Sequence, residues 1–211
     1  MKTIITLLLV AITSTAFSSK YEETMKTNID KLYELRTSGE LQALANQFER
    51  IAQAESDQWL PGYYAAYCYI RSTFLDNMDA DSKNEQLDKA QQIVDKLMKA
   101  YDSESEVHTL QALLYQMRIT DMASGARYSR KAAAAIETAE DLNPANPRVY
   151  YLRGSNLYHT PKFFGGGAEN ARPELEKAAA LFESQKSSDP LMPSWGPHHN
   201  KQLLDLCNKA E

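Results

Sequence analysis

One phrase recurs three times along this chain: an alanine, a large aliphatic residue four positions on, and an apolar residue three beyond that. The sets are Ala90/Val94/Leu97, Ala132/Ile136/Ala139 and Ala171/Leu175/Ala178. Spacings of four and three put all three side chains of a set on one helical face. Successive sets start 42 and 39 residues apart, room for one helical hairpin each, so the chain is expected to stack hairpins into a solenoid. A solenoid builds a surface that holds something, rather than a pocket that makes or breaks bonds.

Helix boundaries are marked along the whole chain, and nothing after the first 18 residues reads as a strand. Thr37-Ser38-Gly39-Glu40, Ser82-Lys83-Asn84-Glu85 and Ser103-Glu104-Ser105-Glu106 have the capping-box spacing. Asn146-Pro147 offers a capping Asn before a Pro at the first helical position. Asn143-Pro144, Thr160-Pro161 and Asp189-Pro190 force the residue before each Pro out of the helical region. The spacing predicts helices over roughly 21–36, 40–55, 60–77, 84–101, 104–122, 126–142, 147–159, 169–186 and 197–209. The fold class is therefore all-α, a helical-hairpin repeat solenoid of about nine helices. The last of them, with Leu203, Leu204 and Cys207 on one side, would cap the open end of the core.

The ends and the composition narrow the class. Lys2, the apolar run Ile4 to Ile12 and the small polar stretch Thr13 to Ser18 read as a signal peptide over residues 1–18. The run is too short for a membrane span of about 20 residues, and no later segment is apolar enough for one. Residues 19–211 are read as one exported, periplasmic or secreted domain. A formal net charge of −5 without a Lys/Arg cluster argues against nucleic acid or an anionic membrane as partner. An oxidising compartment permits a disulfide between Cys68 and Cys207; two buried small hydrophobes is the other reading.

The repeated sets resemble the second helix of a tetratricopeptide repeat, and Ala132, Ile136, Ala139 and Pro144 fall at that family's relative spacing. In the first helices Ala66, Ala112 and Gly154 take the small position, followed three residues on by Tyr69, Tyr115 and Leu157. A small residue lets the two helices of a hairpin approach closely. A degenerate copy with Leu44, Phe48 and Ile51 precedes them. These units are longer than the usual 34 or so residues, which puts the extra residues in the turns within hairpins. His108 and Tyr150 stand where the family's first helix carries Trp. The stretch His159 to Gly167 followed by Ala171 looks like a feature of some exported bacterial repeat proteins. It is also similar to the Gly-rich turn in the T component of TRAP-class periplasmic solute transporters.

Two features stand out as candidate sites. Tyrosines crowd two helices, and helical spacing turns Tyr63, Tyr67 and Arg71 of one, and Tyr151, Ser155, Tyr158 and His159 of the other, toward the groove. Tyr there gives rigid contact area with a polar tip; packing within the repeats is the rival role. The loop Phe163, Phe164, Gly165, Gly166, Gly167 could offer successive backbone N–H groups to an anion. It could equally be a left-handed turn that tucks the two Phe rings under the next hairpin. No Lys-Ser/Thr follows, as a phosphate loop needs. His198 and His199 are adjacent rather than four apart, which is not metal-ligand spacing on a helix. No nucleophile elbow, zincin motif or cofactor fingerprint is present, so neither catalysis, metal nor cofactor is expected. The expectation is a non-enzymatic scaffold that takes a protein or peptide partner in its groove. The alternative is a small-ligand-binding accessory of a periplasmic transport system.

Overall fold

A computed structural model of the chain describes residues 20–75, 78–184 and 189–209. The segment read as a signal peptide lies outside these described residues. Among them run nine α-helices: α1 (20–34), α2 (Ser38–Ala54), α3 (Leu60–Leu75), α4 (Ala80–Ala100), α5 (Ser105–Met117), α6 (Met122–Leu142), α7 (Pro147–His159), α8 (Ala168–Ser184) and α9 (Pro197–Lys209). A single 3-10 turn, Lys162–Phe164, follows α7.

The local signals explain most of these boundaries, and their failures are informative. The Thr37 capping box forms in both directions with Glu40, and Asn146 accepts from the Arg148 amide with Pro147 inside the first turn. Helix α4 begins earlier than its Ser82 signal because Asp79 takes the cap, accepting from the Ser82 amide at 2.8 Å. The box expected at Ser103 does not form: Glu104 is the N-cap and makes no side-chain bond. Glu106, the residue that would close that box, points inward to a buried Arg148 instead.

Three hairpins, α3/α4, α5/α6 and α7/α8, stack in order, each packed on the next, and α2 packs on α3. The three repeated sets are buried throughout. At the third, a Cβ on Gly154 would lie 2.6 Å from Leu175 Cδ2, so only glycine allows this approach of α7 and α8. The extra length of the units does not sit in the intra-hairpin turns as expected. It sits mainly in the second helices, since α4 and α6 have 21 residues each. Pro173 lies in the second turn of α8 on an exposed position, where the carbonyl it leaves without an amide can turn to water.

Helix α5 touches both α3 and α7, and the three form the inner row of the stack. Across that row runs the irregular segment 189–196, which opens on a turn at Asp189 and which the periodicity left unassigned. The Tyr64 hydroxyl donates to the Leu191 carbonyl at 2.8 Å, the Arg148 guanidinium to the Pro193 carbonyl, and Trp195 Nε1 to the Tyr63 hydroxyl at 2.7 Å. The segment then turns at Gly196 (φ 113°) into α9, which packs on α8 and α7. Asn200 of α9 donates to the Leu175 carbonyl at 2.9 Å, fixing the helix by a polar bond inside its apolar seam. Cys68 and Cys207 are buried as free thiols, on α3 and α9.

Candidate ligand pocket

The segment 189–196 fills part of the inner face and leaves a cavity of about 840 Å³ beside it. The cavity lies at the C-terminal ends of α3, α5 and α7, under the first turn of α9, and its walls are mostly apolar. That volume falls in the range of about 300–1,000 Å³ that takes a drug-sized ligand.

Its floor is aromatic and rigidly held. Trp195 stacks on Tyr67 (ring centroids 5.5 Å apart, planes 17°) and meets Tyr151 edge-on at 6.1 Å. The Arg148 guanidinium carbon lies 5.1 Å from the Trp195 ring centroid. Below the floor a buried polar chain fixes the indole. Tyr63 accepts from Trp195, and its hydroxyl lies 3.4 Å from Glu106 Oε2. Glu106 Oε1 in turn accepts from Arg148 at 3.0 Å. Arg148 and Glu106 are only 5% and 8% exposed, so the ion pair is nearly dry. Burial first, and the neighbouring Glu106 carboxylate second, push the Tyr63 hydroxyl well above its ordinary pKa, so it remains a neutral donor and acceptor.

Leu113 and Met117 of α5 and a half-exposed Phe74 of α3 supply the walls. Arg71 lines one end, but its guanidinium donates to the Leu32 and Leu35 carbonyls at the end of α1. The rim carries imidazoles from two elements: His159 ends α7, and His198 and His199 begin α9. His199 Nδ1 is 2.7 Å from the Tyr151 hydroxyl, and its ring stands at 84° to the Tyr151 ring. Partial burial lowers the pKa of both His159 and His199, and for His199 the charges of His159 and His198 add to the effect.

Of the groove residues expected from spacing, Tyr67, Arg71, Tyr151, Ser155 and His159 line this cavity. Tyr63 does not: it is fully buried beneath Trp195. Tyr158 packs edge-on against His159 at 5.1 Å rather than lining the cavity. The loop Phe163 to Gly167 lies outside it. Its three glycine amides donate within the chain, Gly165 to Lys162, Gly166 to Pro161 and Gly167 to Leu157. None of the three is left for an anion. The left-handed turn is present at Gly165 (φ 81°) and Gly167 (φ 98°), yet Phe163 and Phe164 are exposed rather than tucked under the next hairpin. Trp195, Phe74, Met117 and His199 are among the lining residues that spacing did not single out. The i, i+4 rule passed over His199 because its neighbour in the cavity is His159, on a different helix.

A stack of helical hairpins with an aromatic-floored cavity on its inner row makes this a tetratricopeptide-like helical-repeat protein. No family model matches the chain, and no curated protein matches it. Among solved structures it is similar to the HusA haemophore from Porphyromonas gingivalis, with a TM-score of 0.79 and 30% sequence identity over 90% of this chain and 94% of that one. The chain belongs to the family of that haemophore. It is also similar to TTC0263, a tetratricopeptide-repeat protein of Thermus thermophilus, with a TM-score of 0.56 and 17% identity over 90% of this chain and 98% of that one. That second likeness is one of fold. No described helix is long and apolar enough to cross a membrane.

Proposed function

We propose that this chain is an exported, non-enzymatic carrier that holds a flat apolar macrocycle of the haem type in the cavity on its inner row. The observation that carries this reading is the floor of Tyr67, Trp195 and Tyr151 in a cavity of about 840 Å³, in a chain of the HusA haemophore family. Planar aromatic floors favour planar π-ligands, and the mostly apolar walls favour a ligand that water solvates poorly. The inner face that a peptide would occupy is partly covered by the chain's own segment 189–196. That covering favours a compact ligand over the peptide partner the sequence alone suggested. Export rests on the leader-like residues 1–18 and on the haemophore relative.

Titration with haemin tests the reading. Trp59 and Trp195 are the two tryptophans, so a Trp59→Phe background isolates Trp195. Saturable one-to-one binding with quenching of Trp195 is expected, and Tyr67→Ala is expected to weaken it about tenfold or more, some 1.4 kcal/mol. Absence of saturable binding to haemin and to metal-free protoporphyrin would contradict the proposal.

A further inference from the structure

We propose that the α5/α6 and α7/α8 turns form an edge that docks on a zwitterionic phospholipid surface, with Phe163 and Phe164 entering the apolar layer. Docking stands on the geometry of this edge; its purpose, collecting a poorly water-soluble ligand from lipid, rests on the carrier reading above. The two phenyl rings are 91% and 68% exposed and pack edge-on against each other at 5.2 Å. Met122, 83% exposed, belongs to the same edge. Between the antiparallel α6 and α7, Ser129 Oγ donates to Asn156 Oδ1 at 2.9 Å. Met122 and Phe163 each lie seven residues beyond that bond, toward the same end of the stack. Large apolar side chains gathered in water at one edge mark an interaction site.

The α7/α8 loop is built to hold its rings out. A Cβ on Gly166 would collide with the Thr160 carbonyl oxygen, so the loop closes on itself only with glycine there. The amides of residues 164–167 donate within the chain, and Asn170 Nδ2 donates to the Gly165 and Gly166 carbonyls at 3.0 and 3.3 Å. Groups bonded in this way enter an apolar layer without being stranded, and they are not left for a protein partner that would pair with main chain. Lys162 precedes the rings, and its Nζ is 3.8 Å from Glu169 in an exposed pair. Such a pair is a weak tie, so the Lys162 stem is free to lie along the apolar layer while its ammonium meets a lipid phosphate.

Charge selects the kind of lipid. Residues 118–127 and 160–169 carry Arg118, Arg127 and Lys162 against Asp121 and Glu169, an edge close to neutral in a chain of net charge −5. That balance suits a zwitterionic surface, whereas a strongly anionic one would repel the rest of the molecule. The α3/α4 turn carries Asp79 and Asp81 and stays outside the docking face. The cavity reaches this edge: Ile119 of one turn lines it, as does His159, which ends the helix before the other. A molecule dissolved in lipid therefore meets the cavity where the chain meets the membrane.

Phosphatidylcholine vesicles test the docking. The bound fraction is measured by flotation for the wild-type chain, for Phe163→Ser/Phe164→Ser, for Met122→Ser and for Leu142→Ser, the last at an exposed apolar position on the opposite end of α6. Wild-type binding should survive a roughly tenfold rise in salt, because it is apolar in origin. It should fall about tenfold or more in the double variant and severalfold in Met122→Ser, which leaves the α7/α8 loop untouched, and stay unchanged in Leu142→Ser. Thermal denaturation of the double variant should match wild type, since both rings are exposed. No binding by the wild-type chain, binding unmoved by the double variant and by Met122→Ser, or binding abolished by salt would each overturn the proposal and leave the rings to a protein partner. Transfer of metal-free protoporphyrin from the vesicles should slow in the double variant while its affinity in lipid-free solution is kept. Vesicle binding without any macrocycle binding would sustain docking and overturn the carrier reading alone.

Discussion

Trp195 owes its place to residues a ligand never touches. Its indole N–H ends on Tyr63, and Tyr63 leads to Glu106 and Arg148, the last two forming an ion pair at 3.0 Å with almost no water around it. Removing one partner of such a pair leaves the other charge buried and uncompensated, at a cost of about 3–5 kcal/mol. Glu106→Gln is therefore expected to lower unfolding free energy by that order in chemical denaturation, and Glu106→Leu combined with Arg148→Met to recover much of the loss. A Glu106→Gln variant within about 0.5 kcal/mol of wild type, the range of an ordinary surface change, would contradict the relay. A second prediction at this scale compares glycines. At Gly154 an added Cβ meets Leu175 Cδ2 at 2.6 Å, whereas at Gly39 nothing lies within 4 Å. Gly154→Ala should destabilise by about 1–3 kcal/mol through overpacking. Gly39→Ala, inside α2, should instead stabilise by some tenths of a kcal/mol to about 1. Opposite signs in thermal denaturation are the check.

At the scale of elements, helices α1 to α9 were legible because periodicity and end signals agree along most of them. The Ala132/Ile136/Ala139 seam and the Asn146-Pro147 start needed no tertiary information. What escaped had a physical reason. The Ser103 box was outcompeted because Glu106 finds a buried cation 42 residues away in sequence, a contact no local window contains. Segment 189–196 has no period of 2 or 3.6 to read, since its backbone carbonyls at Leu191 and Pro193 are bonded by side chains of α3 and α7. Half of the site was therefore hidden: Tyr67 and Tyr151 could be placed by helical spacing, but Trp195 and His199 enter only when that segment crosses the inner row. The junction of segment and α9 offers a prediction of its own. Gly196 has φ 113°, and a Cβ there would lie 2.7 Å from Phe182 Cζ. Gly196→Ala should cost about 1–3 kcal/mol in backbone strain alone. Amide exchange should accelerate in α9 while α4 is unchanged, and a uniform acceleration across both helices would speak against a local role.

For the whole molecule, the stack acts as a frame whose inner row is partly closed by the chain itself, and the cavity is what that closure leaves open. A second, more open cavity of about 470 Å³ lies between α1 and α2, lined by Tyr21, Asn28 and Arg50 among others. It has no aromatic floor comparable to Tyr67 and Trp195, which gives the account a built-in control. The most direct test is amide chemical-shift mapping of the isotopically labelled chain during titration with metal-free protoporphyrin, a ligand without paramagnetic iron. The account predicts shifts concentrated at the C-terminal turns of α3, α5 and α7 and over residues 195–202. Shifts centred on α1 and α2, or none at saturating ligand, would contradict it.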